Sequence, residues 1–87
     1  MSLFAILAVS DDLRIASAMN SSYPNDYLKV GPGQYFVSAK GTTVDVSNAL
    51  GITGGSNGLG VVVSLNSYYG YAGSDIWEWL KVKGSGA

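Results

Sequence analysis

The chain has 87 residues, of which 47% are hydrophobic and 13% charged, and its formal net charge is −1. That length and apolar content predict one folded domain and exclude a disordered chain, which lacks the apolar residues whose burial outweighs ordering entropy. The absence of cysteine and histidine excludes disulfides, thiolate chemistry and the commonest metal ligand and general base, and the scattered Lys and Arg residues speak against a nucleic-acid-binding stripe.

Leu3 to Val9 is nearly continuous apolar sequence ending at Ser10-Asp11-Asp12, the pattern of a short central strand. The apolar run is too short to span a bilayer and has no basic leader, so a cytoplasmic protein without membrane contact is expected. Ser10 is expected to cap a first helix whose opening turn holds Asp11 and Asp12, where carboxylates complement the helix dipole. Leu13, Ala16 and Met19 recur at helical spacing, and the helix should end before Tyr23-Pro24. Tyr27 to Val30 and Gln34 to Ala39 flank Gly31-Pro32-Gly33, which reads as a hairpin.

Thr42 and Asp45 predict a capping box at the start of a second helix with Val46, Ala49 and Leu50 inside. Gly51 is expected at C′, with Ile52 folding back on Val46. The β-branched run within Leu59 to Leu65 predicts a strand. Asp75 to Val82 reads as a last helix, with Ser74 and Asp75 at its start and Lys81 and Lys83 at its end; the competing reading is a strand, which would put Trp77 and Trp79 on one face. Helical geometry puts Ile76, Trp79 and Leu80 on one face and turns Trp77 aside, making Trp79 the better core candidate. The order β-α-β-β-α-β plus a helix predicts an α+β, ferredoxin-like antiparallel sheet with helices on one face and an extra C-terminal helix. Residues 1–83 form the expected domain and 84–87 a flexible tail.

The glycine loop Thr53 to Gly60, TGGSNGLG, matches the pattern by which short-chain dehydrogenases hold a dinucleotide. Such a loop must follow a strand and open a helix, whose N-terminus then meets the phosphates. Here a helix precedes the loop and a strand follows it. The Tyr-x-x-x-Lys pair is also missing, since Tyr71 is followed four positions on by Asp75 and Tyr69 by Gly73. No cofactor is expected. No serine or threonine has a histidine to activate it, and Lys29 or Lys40 would need burial to act as a base.

Two constellations remain. Asp11 and Asp12 are the only adjacent carboxylates and the candidate metal ligands, although capping and dipole complement also account for them. Tyr68, Tyr69, Tyr71 and Trp77 are the candidate interface residues, because clustered aromatics are enriched at protein contacts. Core packing and base stacking are the competing readings of the same cluster. The stretch Ala5 to Arg14, AILAVSDDLR, within the β-α-β-β-α-β order, resembles the opening of the small CRISPR-associated endoribonuclease-like family. In plan the chain is also similar to the ferredoxin-like antitoxin endoribonucleases. The resemblance implies a homodimer, with nucleic acid as the family's substrate. The position matching the family's metal-binding aspartate, at the end of the first strand, is Ala8 here. The resemblance therefore implies fold and dimer more than activity. The expected function is a non-catalytic, homodimeric interaction or regulatory module, able to meet another protein. The alternative is a metal-dependent endoribonuclease-like or nucleic-acid-binding protein.

Overall fold

Alternation along the first strand divides the molecule into two faces. The computed structural model describes residues 2–10 and 12–85. In β1 (Ser2–Ala8) the side chains of Phe4 and Ile6 are fully buried on one face. Leu3, Ala5 and Leu7 point to the other, as the two-residue period of a strand requires. The chain continues through α1 (Asp12–Ser22), β2 (Tyr27–Gly31), β3 (Gln34–Ala39), α2 (Thr43–Ala49), β4 (Gly60–Ser64) and α3 (Ser74–Ser85).

The strands form one sheet in the order β2-β3-β1-β4. β1 is central and antiparallel to both neighbours, with Phe4 opposite Val37 of β3 and Ile6 opposite Val62 of β4. β2 pairs antiparallel with β3. Each helical crossover, β1-α1-β2 and β3-α2-β4, therefore joins parallel strands separated by one antiparallel strand. This is the split-βαβ, ferredoxin-like α+β arrangement.

The main core lies between the sheet and the first two helices. Phe4, Ile6, Tyr35 and Val37 from the strands meet Ile15 and Met19 of α1 and Val46 and Leu50 of α2. The inner stripe of α1 is thus Ile15 and Met19, one i,i+4 step, and Leu13 is 82% exposed. Helical spacing places Leu13 inside, but the helix turns Ile15 to the sheet in its place, while Met19 is buried and Ala16 packs against the core. In α2 the inner residues are Val46 and Leu50, while Ala49 is exposed.

The ends of α2 follow from local chemistry. The Asp45 N–H donates to the Thr42 hydroxyl and the Thr42 N–H donates to the Asp45 carboxylate, a complete capping box. At the other end the Ile52 N–H donates to Ser47 O and the Gly51 N–H to Asn48 O. Those two bonds define a Schellman ending, with Gly51 left-handed at φ 71° and Ile52 buried in the same cluster as Val46.

Ser10, the expected cap of α1, has a long-range partner. Its hydroxyl accepts the Leu59 N–H at 2.8 Å, and the N–H groups of Val9 and Ser10 donate to Leu59 O. The residue ties the exit of β1 to the entry of β4, a long-range partner that sequence spacing does not display.

The third helix packs on the opposite face from the other two. Leu80 is its buried anchor, and Trp79 stacks on Phe36 at 6.5 Å. Phe36 shares a register row with Ala5, on the face away from the main core. The helix runs to Ser85 rather than ending at Val82, so Gly84 and Ser85 belong to it and not to a tail. The physical cause is anchoring of the last turn. Lys83 Nζ donates to Asp26 Oδ1 at 2.9 Å and to Asn25 O, and Gly84 approaches the Leu3 side chain. Gly86 and Ala87 lie outside the described residues.

Tyr23 links fold stability to pH. Burial, reinforced by the nearby Asp45 charge, holds its phenol above the ordinary value of 10.0. Tyr23 therefore supports the folded state fully below the unfolded-state value, and that support is lost as pH rises through the higher folded-state pKa. Thermal melts above pH 10 are expected to fall less steeply for Tyr23→Phe than for wild type. Parallel pH profiles would contradict this role.

Candidate interaction surface

The surface is built by β4 and the segment that follows it. After Ser64 the Leu65 N–H donates to Leu3 O, extending the β1–β4 ladder by one residue. The chain then crosses to α3 as an irregular segment, 66–73. Gly70 has open space where a Cβ would stand, so its neighbours are not held by close packing there.

Within this segment the aromatic residues divide. Tyr68 stacks on Trp77 with ring centroids 6.3 Å apart and planes at 24°, joining the segment to α3. Tyr69 and Tyr71 are fully exposed. Trp77 and Trp79 are both half-buried, and each stacks on a ring of its own chain. Trp79, expected in the core, thus packs against Phe36 on the second sheet face rather than in the main cluster. The difference arises because α3 has its own small contact area there.

Two clefts flank the Tyr68–Trp77 stack. One, of about 660 Å³, is lined by Leu3, Leu65, Asn66 and Lys81 beside the shared Tyr68, Trp77 and Leu80. The other, of about 340 Å³, brings Tyr69 and Tyr71 together with Val30 and Phe36. Gln34 and Phe36, which line the second, lie opposite Leu7 and Ala5 in the part of the sheet beside it. There Leu7 lies opposite Val61, and these two residues are 47% and 51% exposed. Val63, opposite Ala5, is 42% exposed.

Apart from Lys81 of α3, which lines the first cleft, the surface draws on an uncharged stretch of chain. No Asp, Glu, Lys or Arg occurs between Asp45 and Asp75. The glycine loop, β4 and the aromatic segment all fall inside that interval. This run was the sequence signal for β4's involvement, and attention to aromatic residues alone passes over it. Large apolar patches on a soluble domain mark interaction sites.

The glycine loop itself is internally bonded. The Asn57 N–H donates to Gly51 O, its side-chain amide to Leu50 O, and the Gly58 N–H to Gly55 O. Arg14 donates to Ser56 O from α1, at 2.9 Å. The loop runs from the end of α2 to the start of β4, the reverse of a phosphate-binding arrangement.

The expected metal pair is not brought into view. Asp11 lies outside the described residues, and of Asp12 only the helical backbone at the start of α1 is described. Among the described residues, no group of three or more His, Cys, Asp or Glu side chains converges. No helix among them is long and apolar enough to cross a membrane. Comparisons with protein-family models, curated proteins and solved structures find no match.

Proposed function

We propose that this protein is a cytoplasmic, non-catalytic interaction module that acts as a homodimer and offers the uncharged β4 and tyrosine part of its second face to other protein. The single observation that carries the reading is the continuity of that face. Gln34 and Phe36 line the cleft that bears the fully exposed Tyr69 and Tyr71, and across the sheet from them lie Leu7 and Ala5 and then the exposed Val61 and Val63. Tyrosine gains large contact area at low entropy cost, and flat apolar strands supply shape complementarity. Tyr68 and Trp77 act behind that surface, fixing the segment to α3 through their stack.

The endoribonuclease-like alternative depends on Asp11 and Asp12. Magnesium-dependent RNA cleavage by wild type and Asp11→Ala separates the two readings. The interaction module leaves RNA intact in both samples. Cleavage by wild type that Asp11→Ala abolishes would overturn the non-catalytic reading. The exposed tyrosines supply a second test. Tyr69→Ser combined with Tyr71→Ser is expected to change folding stability by less than about 0.5 kcal/mol, as for other surface changes. A loss of several times that size would show that they pack the fold instead of facing a partner.

A further inference from the structure

The edge strand β4 has the chemistry to pair with itself. The β1–β4 ladder fixes which way its backbone groups point. Val9 donates to Leu59 O, and Leu65 donates to Leu3 O. Hydrogen-bonded pairs in an antiparallel ladder alternate with non-bonded ones. Val61 and Val63 therefore spend their N–H and C=O groups on β1, and Leu59 and Leu65 face the same way at the ends of the ladder. Gly60, Val62 and Ser64 turn theirs outward, where among the described residues β4 has no neighbouring strand.

Natural sheets blunt such edges with charges, proline or bulges. The opposite edge does so, with Lys29 exposed in β2 and a register irregularity between Lys29 and Gly31. β4 has neither device: its sequence is Gly-Val-Val-Val-Ser, without charge or proline. We infer that β4 is the homodimer seam, pairing antiparallel with β4 of a second copy about a two-fold axis at Val62. This rests on the homodimer reading proposed above and specifies its contact.

The strand is nearly palindromic, which favours a second copy over an unrelated peptide. In the symmetric register Val62 faces the second copy's Val62, Gly60 faces Ser64, and Val61 faces Val63. The outward groups then form about six backbone hydrogen bonds, two per bonded pair. Val61 and Val63 fall at the non-bonded positions, where side chains approach most closely. On the helix side, Thr43, Val44 and Ser47 of α2 line a shallow depression with Val62, so an uncharged flank lies beside the same edge. A two-fold axis perpendicular to the sheet brings two such flanks together and doubles the four-stranded sheet. Isologous contacts of this kind close on themselves and stop at the dimer.

The register makes a charge test possible. Val61→Lys with Val63→Lys places like charges opposite each other twice across the seam. Val61→Lys with Val63→Glu places opposite charges there at the same exposed positions. Sedimentation equilibrium is expected to show dimer dissociation strengthened about tenfold or more for the Lys/Lys variant. The Lys/Glu variant stays dimeric, as does Tyr69→Ser with Tyr71→Ser, which lies off the seam. Circular dichroism establishes that each variant is folded. A wild-type dimer that Lys/Lys leaves intact, or that folded Lys/Lys and Lys/Glu variants dissociate equally, overturns the seam and leaves the homodimer standing. Dissociation by the tyrosine variant likewise moves the contact to the aromatic segment. A monomeric wild type overturns the homodimer itself.

Discussion

Replacing Gly33 with alanine is expected to cost about 2–4 kcal/mol of folding stability. Two effects add at this position. Gly33 is left-handed at φ +69°, a conformation in which a Cβ is strained. An added Cβ would also stand 2.6 Å from Ala8 O, a backbone atom that cannot swing aside. Relief would part the hairpin from the end of β1 and weaken the 2.7 Å bond from the Ala8 N–H to Gly33 O. Gly55 isolates the first effect, since it has φ +77° but open space around its Cβ position. Gly55→Ala is expected to cost only about 1–2 kcal/mol. Urea unfolding of both variants measures the difference. Equal losses would mean that the approach to Ala8 carries no energy.

The second large effect is at Leu80. Truncating a buried leucine typically costs about 2–5 kcal/mol through lost transfer energy and an unfilled cavity. Leu80 is the buried residue of α3, at 2% exposure, and stands outside the cluster joining α1, α2 and the sheet. Leu80→Ala should therefore loosen α3 more than the rest of the fold. The chain contains two tryptophans, Trp77 and Trp79, both on α3, so their fluorescence reports that helix's docking. In Leu80→Ala the fluorescence midpoint in urea is expected to fall further than the far-ultraviolet circular dichroism midpoint. Coincident midpoints would make α3 part of one cooperative unit with the main core. The stake extends to function, because α3 holds Tyr68 through Trp77 and so shapes the cleft bearing Tyr69 and Tyr71.

Local chemistry explains what was legible from the residues alone. Thr42, Asp45 and Gly51 announced both ends of α2, since caps and left-handed endings depend on neighbours within a few positions. The Gly31-Pro32-Gly33 turn and the alternation of Tyr35 and Val37 with Phe36 and Ser38 likewise defined the hairpin. The contacts that escaped are long-range. Ser10 meets Leu59, and Lys83 reaches Asp26; neither pairing leaves a periodic trace. A strand's composition also does not say whether it lies at a centre or an edge. Val61 to Val63 has the β-branched content of either, and only pairing in the sheet exposes two of those valines. The face chosen by α3 was hidden for the same reason, because its stripe of Ile76, Trp79 and Leu80 fits either side of a sheet.

The candidate surface was half visible. Aromatic density points to Tyr68, Tyr69, Tyr71 and Trp77, and the structure separates that group into an intrachain stack, whose Tyr68 is 44% exposed, and two fully exposed tyrosines. The contribution of β4 came into view only once its outward backbone groups and exposed valines were placed on one edge.

Native mass spectrometry of the gently purified wild-type chain reads the homodimer outright. At about 10 μM protein, where a dimer of micromolar affinity is substantially assembled, a species of twice the 9.0 kDa chain mass is expected. A single species at 9.0 kDa would contradict the homodimer and leave the uncharged surface to a different partner.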